Sequence, residues 1–123
     1  MIPKYRAWDR ETKSMNGMAE IYRNRKQEIE LHPRDENIIL MQSTGLRDKN
    51  GKEIFEGDIL RVTNLSSWLE VVSFNEDKAM FISKEIKREV EETPLYDLFN
   101  TDIFEIETIG NIYTNPKLAE VSS

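Results

Sequence analysis

Cysteine is absent, which excludes disulfides and thiolate metal sites and fits a reducing cytoplasm. Histidine is nearly absent too. The one copy, His32, stands beside Pro33 in an expected loop, where a surface role is favoured over a catalytic one. No stretch approaches the roughly 20 apolar residues needed to span a bilayer, and Met1 to Trp8 carries no apolar run of signal-peptide length. A soluble, cytoplasmic protein without a membrane partner is therefore expected. Glycine and proline are sparse, at 5 and 4 residues, so there is no flexible linker or low-complexity tract. No internal repeat is visible either.

What is present is enough for one ordinary core, since 38% of the 123 residues are hydrophobic. The charge of −6 is unevenly placed. Residues 1–26 hold seven Lys or Arg against three Asp or Glu, whereas the remaining 97 hold ten against twenty. An acidic body disfavours general nucleic-acid binding, which depends on cations that neutralise phosphates. The N-terminal part is the exception to test. Its Lys4, Arg6, Arg10, Lys13, Arg23, Arg25 and Lys26 alternate with Tyr5, Trp8 and Tyr22, the mixture that single-strand binders use. A basic strand surface that docks on an acidic one is the stronger reading.

The pattern along the chain is that of short strands and polar turns. Lys4 to Asp9 alternates as a strand with Tyr5 and Ala7 on one side and Arg6 and Trp8 on the other, and Arg10 to Ser14 turns it into a hairpin. A second strand is expected within Met15 to Tyr22, a third over Gln27 to Leu31, and a short apolar one over Ile38 to Met41. Asp48-Lys49-Asn50-Gly51 is a tight-turn signal, because Asn and Gly tolerate positive φ and Asp can bond its own backbone. Glu56-Gly57-Asp58 is a second turn that feeds Ile59 to Thr63. Trp68 to Phe74 and Ala79 to Ile82 complete three antiparallel strands, with turns at Asn64 to Ser67 and at Asn75 to Asp77. The charged stretch Ser83 to Glu92 reads as an excursion. Thr93-Pro94 predicts an N-cap and first turn for a short helix near residues 94–100, with Leu95, Leu98 and Phe99 on one face. Phe104 to Ile112 supplies the last strand, and the tail after Pro116 is expected to fray.

Three blocks stand out in order: Tyr5-Arg6-Ala7-Trp8-Asp9; Gln42-Ser43-Thr44-Gly45-Leu46 through Glu56-Gly57-Asp58-Ile59; and Ile109-Gly110-Asn111-Ile112-Tyr113 with Asn115-Pro116. Together they resemble the YopX family of small phage and prophage proteins over nearly the whole chain. The resemblance implies a phage-derived protein of unassigned biochemical function. It also implies a mainly β fold, with a β-rich N-terminal lobe and a C-terminal small SH3-like barrel, and it carries no catalytic residue or cofactor across. On that basis residues 1–40 form the first lobe, 41–116 the barrel and 117–123 a tail.

Chemistry is thinly represented. Glu56 and Asp58, with Asp48 and Glu53 nearby, could pair as carboxylates around a divalent ion, but their turn context favours structural capping. The Asp48 run lacks the spacing and the closing glutamate of a calcium loop, and Gly45, Gly51 and Gly57 lack the lysine of a phosphate loop. No serine has a nucleophile-elbow context. The reading that remains is a non-enzymatic protein-binding or self-assembling module in a bacterial host. Its partners are further copies of itself or a host or phage protein, with Tyr5, Arg6, Trp8, Arg25 and Trp68 as candidate contacts. Weak single-strand nucleic-acid binding through the N-terminal lobe comes second, and a small metal-dependent hydrolase third. Gly45, Asp48, Asn50, Gly51, Glu56, Gly57, Asp58, Gly110 and Asn111 are read as turn and fold residues with no cofactor role.

Overall fold

The computed structural model describes residues 4–16, 21–23, 29–31, 37–88, 91–100 and 102–120. Arg25, His32 and the Asn24–Lys26 turn lie outside them. The chain divides into two compact units, Met1–Ser43 and Thr44–Ser123.

In the first unit, β1 (Tyr5–Asp9) and β2 (Ser14–Asn16) form the expected opening hairpin, with Trp8 opposite Met15. Asp9 shapes its turn by accepting the N–H of Glu11 at 2.9 Å and of Thr12 at 3.2 Å. β3 (Ile21–Arg23) and β4 (Ile29–Leu31) make a separate two-stranded sheet. The single strand expected over Met15 to Tyr22 is therefore two, paired in different sheets. β5 (Ile38–Arg47) lies antiparallel to β1 over residues 38–42. It is far longer than the expected Ile38 to Met41, because half-buried Gln42, Ser43 and Thr44 sustain the extended backbone that a purely apolar run was expected to end. Strand alternation does not sort β1 as expected either: Ala7 and Trp8, on opposite faces, are both buried.

In the second unit, β6 (Glu53–Phe55) neighbours β5, and the hydroxyl of Thr44 donates to the carbonyl of Ile54 at 2.7 Å. β7 (Asp58–Asn64), β8 (Ser66–Asn75), β9 (Met80–Glu85), β10 (Thr93–Pro94) and β11 (Glu105–Asn111) form a five-stranded antiparallel sheet in the order β10-β9-β8-β7-β11. It curls into a half-barrel, and the protein is mainly β as its sequence predicts. Alternating Leu60, Val62, Val72 and Ile106 face inward with Ile54. The helix α1 (Leu95–Phe99) closes over them with Leu95 and Leu98. Burying each such side chain is worth about 1.5–3 kcal/mol.

Two local expectations are corrected. Thr93 does not cap the helix: Thr93–Pro94 pair with β9, so Pro94 is the N-cap and no side chain caps the first turn. The residues after Pro116 do not all fray, since Pro116–Ala119 form a 3-10 turn held by the N–H of Leu118 on the carbonyl of Asn115 at 3.0 Å.

Candidate functional site

Asp48 is the centre of the first constellation. Its Oδ1 accepts the N–H groups of Asn50 and Lys52, each at 2.9 Å, which closes the turn on Gly51 at φ +81°. Its Oδ2 reaches across the unit to accept the N–H of Thr108 at 2.9 Å, and the N–H of Lys49 donates to the carbonyl of Ile106 at 2.9 Å. The turn thus occupies the outer edge of β11 and takes the place of a sixth strand. Burial pushes the Asp48 carboxyl up, but the N–H groups of Thr108, Lys52 and Asn50 outweigh it and hold the carboxyl below its ordinary value of 3.8.

Asp58 is committed in the same way. It is 1% exposed and its Oδ2 accepts the N–H of Phe55 at 2.8 Å. That ties the turn in which Gly57, at φ +84°, gives its N–H to Val72 and its carbonyl to Ile112. Among the described residues, no group of three or more His, Cys, Asp or Glu side chains is placed to hold a metal ion. Glu56 is half-buried at this turn and Glu53 lies on β6.

The third sequence block is a linked turn. β11 shifts register between Thr108 and Gly110, and Asn115 then clasps Asn111 by accepting its N–H at 3.2 Å and donating its own N–H to the Asn111 carbonyl at 2.8 Å. The Asn111 Oδ1 in turn accepts the N–H groups of Tyr113 and Thr114. A Cβ at Gly110 would lie 2.8 Å from Cγ and 3.2 Å from Cβ of Asn115, closer than packed atoms stand. Gly110→Ala is therefore expected to cost about 1–2 kcal/mol by displacing that side chain. A chemical denaturation midpoint unchanged from the parent protein would refute this use of Gly110.

A buried polar cluster lies on β8 and β9. Trp68 Nε1 donates to Glu70 Oε2 at 2.8 Å and the Ser83 hydroxyl donates to Glu70 Oε1 at 2.7 Å, with Glu70 6% and Ser83 1% exposed. Trp68 packs edge-on against Phe104, ring centroids 5.9 Å apart. The sequence reading named Trp68 but not its partners. The available signal was the carboxylate at 70 in the same strand phase as Trp68 and Val72.

Three of the other named residues lie on β1. Tyr5 is half-buried, Trp8 is 9% exposed, and the guanidinium of half-buried Arg6 stands 3.6 Å from the Met41 sulfur. Leu65, expected only as part of the turn Asn64 to Ser67, is the most exposed apolar side chain among the described residues: between paired Asn64 and Ser66 at the tip of the β7–β8 hairpin, it is fully exposed at φ +56°. Ile103, at 60% exposure, precedes Phe104 at the same end of the sheet, where Glu105 pairs with Thr63.

Solved structures similar to this chain include two bacterial proteins. Protein EF1440 from Enterococcus faecalis is 29% identical, with a TM-score of 0.58 over 98% of this chain and 99% of that one. Protein yopX from Bacillus subtilis is 20% identical, with a TM-score of 0.62 over the whole of both chains. No curated protein matches the sequence. The family model described as YopX protein matches residues 4–120, and the chain belongs to the YopX family.

Proposed function

We propose that this protein is a non-enzymatic protein-binding module, and that the β7–β8 hairpin tip is part of its contact surface. Leu65 carries the proposal. A leucine in left-handed backbone costs about 1–2 kcal/mol relative to a residue at ease there. Full exposure means that it buries nothing in return within its own chain. A side chain that is unfavourable on both counts is explained by contact with another molecule. Ile103 at the same end of the sheet extends the apolar surface. Meanwhile Asp48 and Asp58, which a hydrolase would need, are engaged by backbone N–H groups. The nearly buried ring of Trp8 offers a poor stacking platform for bases. Both solved relatives come from bacteria, which supports a bacterial setting.

Leu65→Asn tests this directly, because Asn adopts left-handed backbone readily and adds no apolar surface. The variant is expected to melt about 4 °C higher, for a gain near 1 kcal/mol. It should also lose a nuclease-resistant protein that the parent captures from a bacterial lysate and that rebinds when purified. Light scattering at micromolar concentration identifies a second copy as the partner if the parent is dimeric and the variant monomeric. Undiminished capture by the variant, with no change in mass, would refute the proposal, and capture lost on nuclease treatment would point to nucleic acid instead.

A further inference from the structure

Beside the hairpin tip, a groove of about 440 Å³ is lined by Arg61, Ser67, Trp68, Leu69, Glu85, Lys87 and Arg88. Its charge is opposite to that of its surroundings. The unit Thr44–Ser123 carries nine Lys or Arg against sixteen Asp or Glu, yet these seven lining residues hold three cations and one carboxylate. Glu85 is matched internally, since Arg88 Nε donates to it at 2.9 Å. Arg61 meets Glu107 only at 4.0 Å with half its side chain exposed, and Lys87 is exposed. The apolar part of the lining is Trp68 and Leu69, and Arg61 stands opposite Leu69 in the β7–β8 register.

We infer that this groove takes an acidic peptide segment, with carboxylates on Arg61 and Lys87 and an apolar side chain against Trp68 and Leu69. The inference rests on the protein-binding reading and gives its partner a chemistry. A peptide suits the site better than a nucleic acid. A phosphate chain needs cations along its whole path, and outside the groove this unit is acidic, whereas a peptide can present two carboxylates and one apolar side chain within a few residues. Charge complementarity of this kind chiefly sets the encounter rate and the choice of partner.

The test uses the full chain and a fluorescein-labelled Glu/Leu-alternating peptide, with its Lys/Leu counterpart and oligo-dT as competitors, read by anisotropy. The acidic peptide should bind and weaken with salt. Its affinity should fall about fivefold or more in Arg61→Gln/Lys87→Gln, with the melting temperature unmoved because both sites are surface positions. Absent binding, equal binding by the double variant, or displacement by oligo-dT or the basic peptide overturns the inference. Leu65→Asn separates the two levels. If Leu65→Asn abolishes partner capture while the acidic peptide is ignored, the groove assignment falls and the module stands. Capture that survives Leu65→Asn removes the module reading itself.

Discussion

Asp48→Ala is expected to destabilise the protein by about 3 kcal/mol, because one substitution strips the acceptor from three backbone N–H groups. Those of Asn50 and Lys52 lie in a surface turn and can turn partly to water. Thr108 belongs to β11, and its N–H is left facing a vacated edge. A melting temperature about 10 °C below the parent follows for a domain of this size. Asp48→Asn keeps one acceptor oxygen and should lose about half as much. The β11 edge adds a second signature. With the turn loosened, the Ile106 carbonyl and Thr108 N–H become an unpaired strand edge that can recruit another chain. Asp48→Ala should therefore self-associate with rising concentration more than the parent does, in gel filtration below its melting temperature. A variant as stable as the parent would show that the turn merely rests on the sheet.

The same residue fixes a pH dependence. The folded Asp48 carboxyl lies below its ordinary value of 3.8, so the unfolded chain takes up the proton first. The stability this carboxylate supplies is fully present above the ordinary value and is lost as pH falls through the lower folded one. The gap in melting temperature between the parent and Asp48→Ala should therefore be constant near neutrality and narrow below about pH 4. A gap that widens in acid would contradict the assignment.

Asp48 also shows what a sequence can and cannot disclose. The turn itself was legible, because an Asp two and four residues before the N–H groups it accepts makes a local pattern. Its bond to Thr108, sixty positions along the chain, leaves no local trace. The half-barrel strands were legible through apolar alternation and the turns between them, and the Gly110–Asn115 block through its resemblance to the family. Strand β5 was not, since Gln42, Ser43 and Thr44 resemble a loop in isolation and become strand by pairing and by the Thr44 bond to Ile54. Thr93 reads as a helix cap by local propensity, yet pairing with Ser83 claims it for the sheet. The turn between β7 and β8 was legible over Asn64 to Ser67, but nothing in the letters Asn-Leu-Ser announces that it narrows to Leu65 alone. Positive φ there follows only from the register of Asn64 with Ser66.

Glu70→Ala should rival the loss at Asp48, at about 3 kcal/mol, for a different reason. Trp68 Nε1 and the Ser83 hydroxyl both donate to this carboxylate, so truncation strands a buried hydroxyl and a part-buried indole N–H and opens a cavity beside Val72. Charge is secondary. Glu70 stands opposite Glu85 in the β8–β9 register, a like-charge pair that Arg88 offsets by engaging Glu85. Glu70→Gln is therefore predicted to be nearly neutral. Its amide oxygen still accepts from Trp68, and the Ser83 hydroxyl can turn to accept from the amide nitrogen. Replacing the whole cluster, as Trp68→Phe/Glu70→Leu/Ser83→Ala, removes donors and acceptor together and should recover most of the stability lost in Glu70→Ala. Thermal melts of the four proteins decide the matter. If Glu70→Gln falls as far as Glu70→Ala, the ionised carboxylate is what the fold requires. If the triple variant fails to recover, Trp68 contributes through its edge-on packing with Phe104 instead of its N–H. A neutral Gln and a recovered triple variant would mean that the fold requires donors and acceptors in this cluster to be matched, and not the charge of Glu70.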